Sequence, residues 1–200
     1  DRLFQNNLKK RINDLGGEIY ITKNPISDFE KSKNLFQFAM DKFGGVDVVL
    51  CTKDVMENKF LKDMQEDDWD KIYLENLKSA YNIVRHVSPL FRKQKYGRVV
   101  TLSAKSGLIG ASKMSNYSAS KAGILGFTKV IAKDLGKYGV TCNSICYDDG
   151  NHSLHTSGKN NLYTNENIAS LATYLASEYS APINGQIFQV DAGKITHISL

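Results

Sequence analysis

The sequence predicts a parallel α/β sheet with helices on both faces. Two observations carry this. The segments "VDVVLC", "GRVVTLS" and "VTCNSI" are continuous apolar runs without alternation, the pattern of strands buried on both faces. Between them lie longer segments whose apolar residues recur at helical spacing, and strands alternating with helices specify a parallel sheet.

Taken in order, Asn6 to Leu15 places Leu8, Ile12 and Leu15 on one helical face, and Gly16-Gly17 stops it. "GEIYIT" then reads as a strand. Ser27-Asp28 caps a helix from Phe29 to Phe43, with Leu35, Phe36, Ala39 and Phe43 as its buried stripe and Gly44-Gly45 as its stop. After "VDVVLC", the carboxylates of "EDDWDKI" suit a helix N-terminus, where they complement unpaired amides and the macrodipole. Trp69 is expected to pack inward, and the helix continues through Tyr73, Leu77, Ala80, Val84, Val87 and Phe91. "GRVVTLS", a helix from Asn116 to Leu135, "VTCNSI", a helix in "NENIASLATYLAS" and a last strand "GQIFQV" complete the pattern. The polar stretch "YDDGNHSLHTSGKNNLYTNE" is a loop or lid.

A chain of 200 residues is long enough for one domain, expected over 1–200, with a substantial core. Its 42% hydrophobic and 24% charged residues are those of an ordinary soluble protein. It lacks the ~18-residue apolar run that a membrane span needs and any basic-then-apolar leader, so a soluble intracellular protein is expected, with no membrane partner. The net charge of +5 is spread along the chain rather than clustered, which argues for a solvated basic surface and against a nucleic-acid partner. Cys51, Cys142 and Cys146 form no CxxC pair and read as reduced core thiols. His152 and His155 sit in the polar loop without further ligands at usual spacings, so no metal site is expected.

The chemistry concentrates in "SAKSGLIGASKMSNYSASKAG". Tyr117 and Lys121, four residues apart, share one helical face, so an ammonium could depress the phenol from its usual value of about 10 toward working pH. Such a tyrosine donates a proton to a carbonyl oxygen or takes one from an alcohol. With ten tyrosines, and a lysine at about one position in ten, roughly one such pair arises by chance. Its context is more specific: a buried strand, a Gly-bearing loop, then "NYSASKAGILGFTK", with Asn76 on the preceding helix in "YLENLKSAYN".

Together with "FGGVDVVL", "WDKIYLENLKS", "YGRVVTLSAKSGLIG", "NYSASKAGILGFTKVIAKDLGKYGVTCNSI", "IASLATYLAS" and "INGQIFQVDAG", these segments resemble the short-chain dehydrogenases/reductases, particularly the 3-oxoacyl-(acyl carrier protein) reductase and carbonyl reductase branch. The resemblance implies a Rossmann-like doubly wound sheet in a three-layer α/β/α arrangement that binds NAD or NADP. It matches Tyr117 to the family's acid/base, Lys121 to the residue that holds the nicotinamide ribose and tunes the tyrosine, and Asn76 to the holder of a relay water. Tyr117, Lys121, Cys51 and Thr52 fall on cofactor-binding positions, and the substrate implied is a small carbonyl or alcohol. Helices 70–92 and 116–136 correspond to the family's dimer contact, so a homo- or hetero-oligomer is implied.

Departures from the family pattern cluster at the site. Ala104 stands where the resemblance places a catalytic serine, and loss of one oxyanion donor is worth about 10²–10³ in rate. Ser103, adjacent on the strand, points to the opposite face, so it or Ser106 replaces that hydroxyl only if the loop bends unusually. Cys51-Thr52-Lys53-Asp54 replaces an Asn-Asn-Ala-Gly turn, where Lys53 and Asp54 would crowd the cofactor wall. Tyr147-Asp148 replaces a Pro-Gly, and Pro25 an acidic residue near the adenine.

Residues 1–15 already correspond to the fold's second helix, so the first β-α-β unit with its Gly-rich phosphate loop is lacking, and cofactor binding is in doubt without it. Either the chain is a piece of a longer protein, whose N-terminus would carry that loop or a targeting segment, or it is a truncated relative. Without the strands of that unit Val46–Leu50 would become an exposed strand edge, whereas the changes at Ala104, Tyr147-Asp148 and the altered turn belong to this sequence in either case. Three readings stand: a family member with degraded sites and weak or absent activity, a working NAD(P)H-dependent carbonyl reductase, and a structural or regulatory subunit that pairs with an active relative.

Overall fold

The computed structural model describes residues 2–149, 159–191 and 193–199, with side chains from residue 3 and, within the helix that starts at Lys159, from residue 165. The helices are α1 (Arg2–Asp14), α2 (Phe29–Phe43), α3 (Glu66–Tyr73), α4 (Ser79–Gln94), α5 (Ser106–Ile109), α6 (Ser115–Gly136) and α7 (Lys159–Ala176). The strands are β1 (Val48–Cys51), β2 (Gly97–Ala104), β3 (Val140–Tyr147), β4 (Ile187–Asp191) and β5 (Lys194–Ile198). They form one sheet in the order β1-β2-β3-β4-β5. The first four run parallel, and β5 turns back antiparallel on β4. The sequence pattern did not anticipate β5.

Strand parity sorts the core into two layers. Val99 of β2 and Val140 and Cys142 of β3 face Val84, Val87 and Phe91 of α4 and Ala132 and Leu135 of α6. The alternate residues Val100, Leu102, Ala104, Ile145 and Tyr147 pack with Ile168, Leu171 and Leu175 of α7. Because successive side chains point to opposite faces, a strand buried on both faces has to be apolar or small at every position. Both β2 and β3 are buried along their whole length. This is the three-layer arrangement that the alternating pattern predicts.

Helix boundaries follow their caps. Asp28 Oδ1 accepts from Lys31 N at 2.9 Å to start α2, and Gly44, at φ +75°, closes it with its N–H on Met40 O. Gln65 and Asp68 form a reciprocal capping box at the start of α3. Trp69 does not pack inward: it is 40% exposed, because the first turn of α3 lies at the surface.

Two expectations fail where the sheet ends. Residues 17–22, "GEIYIT", form no strand, and Tyr20 and Ile21 are exposed. A strand exists by pairing its backbone amides and carbonyls, and no described strand lies beside this segment to take them. For the same reason β1, which begins at Val48, pairs only with β2 among the described residues, and Leu50 is 50% exposed. The expected burial of "VDVVLC" on both faces holds only for Val49.

The helix expected to run unbroken from "EDDWDKI" to Phe91 carries one π-helical turn, Leu74–Lys78, between α3 and α4. Such turns insert a residue and re-aim a side chain. Here the re-aimed residue is the buried Asn76.

Candidate functional site

The carboxyl ends of β1, β2 and β3 lie side by side, and α6, which packs on β2 and β3, carries Tyr117 and Lys121 one turn apart. Both side chains are buried, and four residues meet there. Asp54, in the segment after β1, accepts on Oδ1 from Tyr117 Oη at 2.9 Å and from Lys121 Nζ at 3.1 Å. Its Oδ2 accepts from Tyr147 Oη at 2.5 Å. The two phenol oxygens are 2.6 Å apart. The Lys121 ammonium also lies 5.4 Å from the centre of the Tyr117 ring and reaches the Leu102 carbonyl.

The electrostatics reverse the expectation for Tyr117. Lys121 does not lower its pKa: burial, then the charges of Tyr147 and Asp54, push it well above the ordinary phenol value. Tyr147 is raised by burial and by Asp54. Burial draws Lys121 down, opposed by the negative charge of Asp54. Burial raises Asp54, but Lys121, Tyr147 and Tyr117 outweigh it and hold the carboxyl below its usual range. The anion that the ammonium stabilises is therefore the Asp54 carboxylate rather than a Tyr117 phenolate.

Asn76 spends both halves of its amide on one residue. Its Oδ1 accepts from Val55 N and its Nδ2 donates to Val55 O, each at 2.8 Å, while Ser120 Oγ lies 3.4 Å away. Asn76 thus pins the residue next to Asp54 and helps to hold that carboxylate in the site. This contact differs from the relay-water role that the resemblance assigns.

Ala104 is fully buried, and its register partner across β2 and β3 is Tyr147. Ser103 turns the other way, as strand parity requires, and donates to Lys121 O at 2.8 Å. Ser106 is buried, and its hydroxyl finds no partner among the described residues. Neither serine reaches Tyr117. The hydroxyl that does comes from Tyr147.

Cys51 and Thr52 line a cavity of about 500 Å³, together with Leu50, Asp54, Asn76 and Ile124. Lys53 lines the same cavity and pairs with Glu75 at 3.0 Å, so Asp54 alone of the altered turn enters the cluster. Lys105, next to Ala104 in sequence, pairs with Asp148 at 3.0 Å. Burial raises the Cys51 thiol to about 12 and the Cys146 thiol to about 11, and it raises Cys142 as well, so none is a thiolate at neutral pH. His152 and His155 lie outside the described residues. Among the described residues, no group of His, Cys, Asp and Glu is arranged to hold a metal, and no helix is long and apolar enough to cross a membrane.

Of the predicted site residues, Tyr117 and Lys121 meet directly, Asn76 acts through Val55, and Cys51 and Thr52 stand on the cavity wall. Asp54 and Tyr147 are site members that stand out in the sequence only as departures from the family pattern. The available signal was that both fall at strand ends on the same edge of the sheet.

A parallel sheet with a buried Tyr-Lys pair over the carboxyl ends of its strands defines a class of α/β protein built for ligands at that edge. The family profile described as short chain dehydrogenase matches residues 4–149. The chain is 30% identical over 192 residues to a nodulation protein G of Azospirillum brasilense, covering 90% of this chain and 78% of that protein. It is also 30% identical over 195 residues to a 3-oxoacyl-[acyl-carrier-protein] reductase of Synechocystis, covering 90% and 77%. A crystal structure of a short chain dehydrogenase from Mycobacterium avium superposes with a TM-score of 0.88 at 27% identity, over 98% of this chain and 69% of that one. The chain belongs to the short chain dehydrogenase family.

Members of this family typically bind nicotinamide dinucleotides. The residues here do not fit the nicotinamide end of such a group, because Lys121 and Tyr117 are both fully buried and both already bonded to Asp54.

Proposed function

We propose that this chain is a short-chain-dehydrogenase-fold protein whose reductase chemistry is weak or absent. One relationship carries the reading: the Asp54 carboxylate lies against both Tyr117 and Lys121, at 2.9 and 3.1 Å. A working acid/base tyrosine needs its phenolate to be accessible near operating pH. Asp54 opposes this twice, by adding a negative charge beside the phenol and by taking up the ammonium that would compensate it. The absence of a hydroxyl at Ala104 acts in the same direction.

A second reading, NAD(P)H-dependent reduction of a 3-oxoacyl or ketone carbonyl with Tyr117 as proton donor, is favoured by the reductase name of the Synechocystis relative and by Tyr117 and Lys121 sharing one face of α6. A third, a subunit pairing with itself or an active relative, is favoured by a groove of about 510 Å³ between α4 and α6, lined by Tyr81, Arg92, Phe127 and Tyr138.

The test is a titration of NADPH and NADH against the protein with melting temperature as readout, since a ligand of the native state raises it. No shift at millimolar cofactor and no ketone-dependent oxidation are expected. A clear shift, with oxidation that disappears in Tyr117→Phe, would establish the reductase. Native mass spectrometry with and without an active relative decides the pairing.

A further inference from the structure

The four-residue cluster has the composition of an anion receptor. Two phenol hydroxyls and one ammonium converge on a single carboxylate, one phenol on each oxygen and the ammonium on Oδ1. That carboxylate belongs to the chain itself. Asp54 also lines the cavity of about 500 Å³, whereas neither Tyr117 nor Lys121 does. Asp54 therefore forms the wall between a ligand-sized space and three converging donors.

We propose that Tyr117, Tyr147 and Lys121 form a carboxylate-binding site that the folded chain fills with its own Asp54, and that small carboxylates are the ligands this site takes once Asp54 is withdrawn. The proposal rests on the reading of Asp54 as the group that closes the Tyr117–Lys121 pair.

The donor set favours a carboxylate. Hydrogen bonds to an ionised acceptor are roughly twice as strong as neutral ones, and a carboxylate accepts on two oxygens at once, as the two phenols require. A hydroxyl or carbonyl oxygen would leave one donor unmatched and the ammonium without a counter-charge, a large penalty at a fully buried lysine. Ala104 belongs to the same design, because a side chain without a hydroxyl at that register position leaves the Tyr147 phenol as the donor on that side. The tether sets the competition. An internal carboxylate held by a short segment acts at an effective concentration that millimolar free carboxylate does not match, so the intact protein keeps its own.

The group removed in Asp54→Ala is formate-sized. The experiment measures the melting temperature of the full chain in sodium formate, acetate or propionate against equal sodium chloride. Asp54→Ala is expected to rise by about 3 °C or more in ~100 mM formate over chloride, with the intact protein unchanged and the gain absent in Asp54→Ala/Lys121→Met. Equal melting of Asp54→Ala in formate and chloride would overturn the proposal, and so would an equal rise in the intact protein. If Asp54→Ala does not fold unaided, refolding from urea in formate against chloride gives the same decision, recovery only in formate supporting the site and no recovery refuting it. Asp54→Asn, which keeps the volume, is expected to show no formate effect, and a rise there assigns the effect to bulk solvation and refutes the site. None of these measurements involves a dinucleotide, so the reductase titration fails or succeeds independently.

Discussion

Ala104 and Tyr147 are register partners on the adjacent parallel strands β2 and β3, and the phenol of one supplies the hydroxyl nearest Tyr117 on the side where the other has none. The two departures are thus parts of one rearrangement rather than separate losses. Ala104→Ser adds an oxygen to a fully buried position in the cluster that contains both tyrosines. It is expected to cost about 1–3 kcal/mol by overpacking and to give no ketone-dependent NADPH oxidation. Urea unfolding and an absorbance assay check the two halves of this expectation.

Asp54 is the counter-charge of a buried lysine, so Asp54→Ala is expected to lose about 3–5 kcal/mol at neutral pH. The pH dependence follows from the lowered carboxyl. A depressed folded-state value contributes stability that is present above the unfolded value of about 3.9 and is lost as pH falls through the folded one. The gap between the intact protein and Asp54→Ala is therefore expected to be constant from about pH 5 to 7 and to narrow below about pH 4. Parallel urea titrations at each pH measure it, and a gap independent of acid would remove the ion pair as its cause.

Tyr117 and Tyr147 make the opposite prediction at the alkaline end. Both are raised, so their contribution is complete below the unfolded value of about 10 and is lost as pH rises through it toward the folded values. Of the ten tyrosines, these two are expected to stay protonated until the chain unfolds. Phenolate absorbance should show a delayed step coincident with loss of helical circular dichroism. A smooth titration of all tyrosines in the folded protein would contradict the cluster.

Gly107 fixes how closely α5 approaches the helix that carries the site. A Cβ there would stand 2.9 Å from Ala122 N and from Lys121 C and Cβ, closer than real side chains approach. Gly107→Ala is expected to cost about 1–3 kcal/mol, because the obstacle is backbone and cannot rotate away. Melting temperature reports the loss. Asp54→Ala/Gly107→Ala against the two single variants shows whether it passes through the cluster, since coupled sites depart from additivity.

Much of this molecule is legible in its sequence. The cap at Asp28, the stop at Gly44 and the continuous apolar runs of β2 and β3 are local signals, and each reappears where the sequence put it. "GEIYIT" carries an equally good local signal and forms no strand, because strand formation depends on a neighbour and not on propensity alone. The π-helical turn at Asn76 left no mark on the helical periodicity around it.

The sequence by itself determined the alternation of strand and helix, the split of each strand into two faces, and a helix that presents Tyr117 and Lys121 together, because all three depend on spacings of a few residues. Which anion that pair meets was decided only by tertiary structure. Asp54 lies 63 positions from Tyr117 and 93 from Tyr147, and no local period relates them. They meet because parallel strands bring their carboxyl ends to one edge of the sheet, and because a buried ammonium requires the nearest carboxylate that the fold supplies.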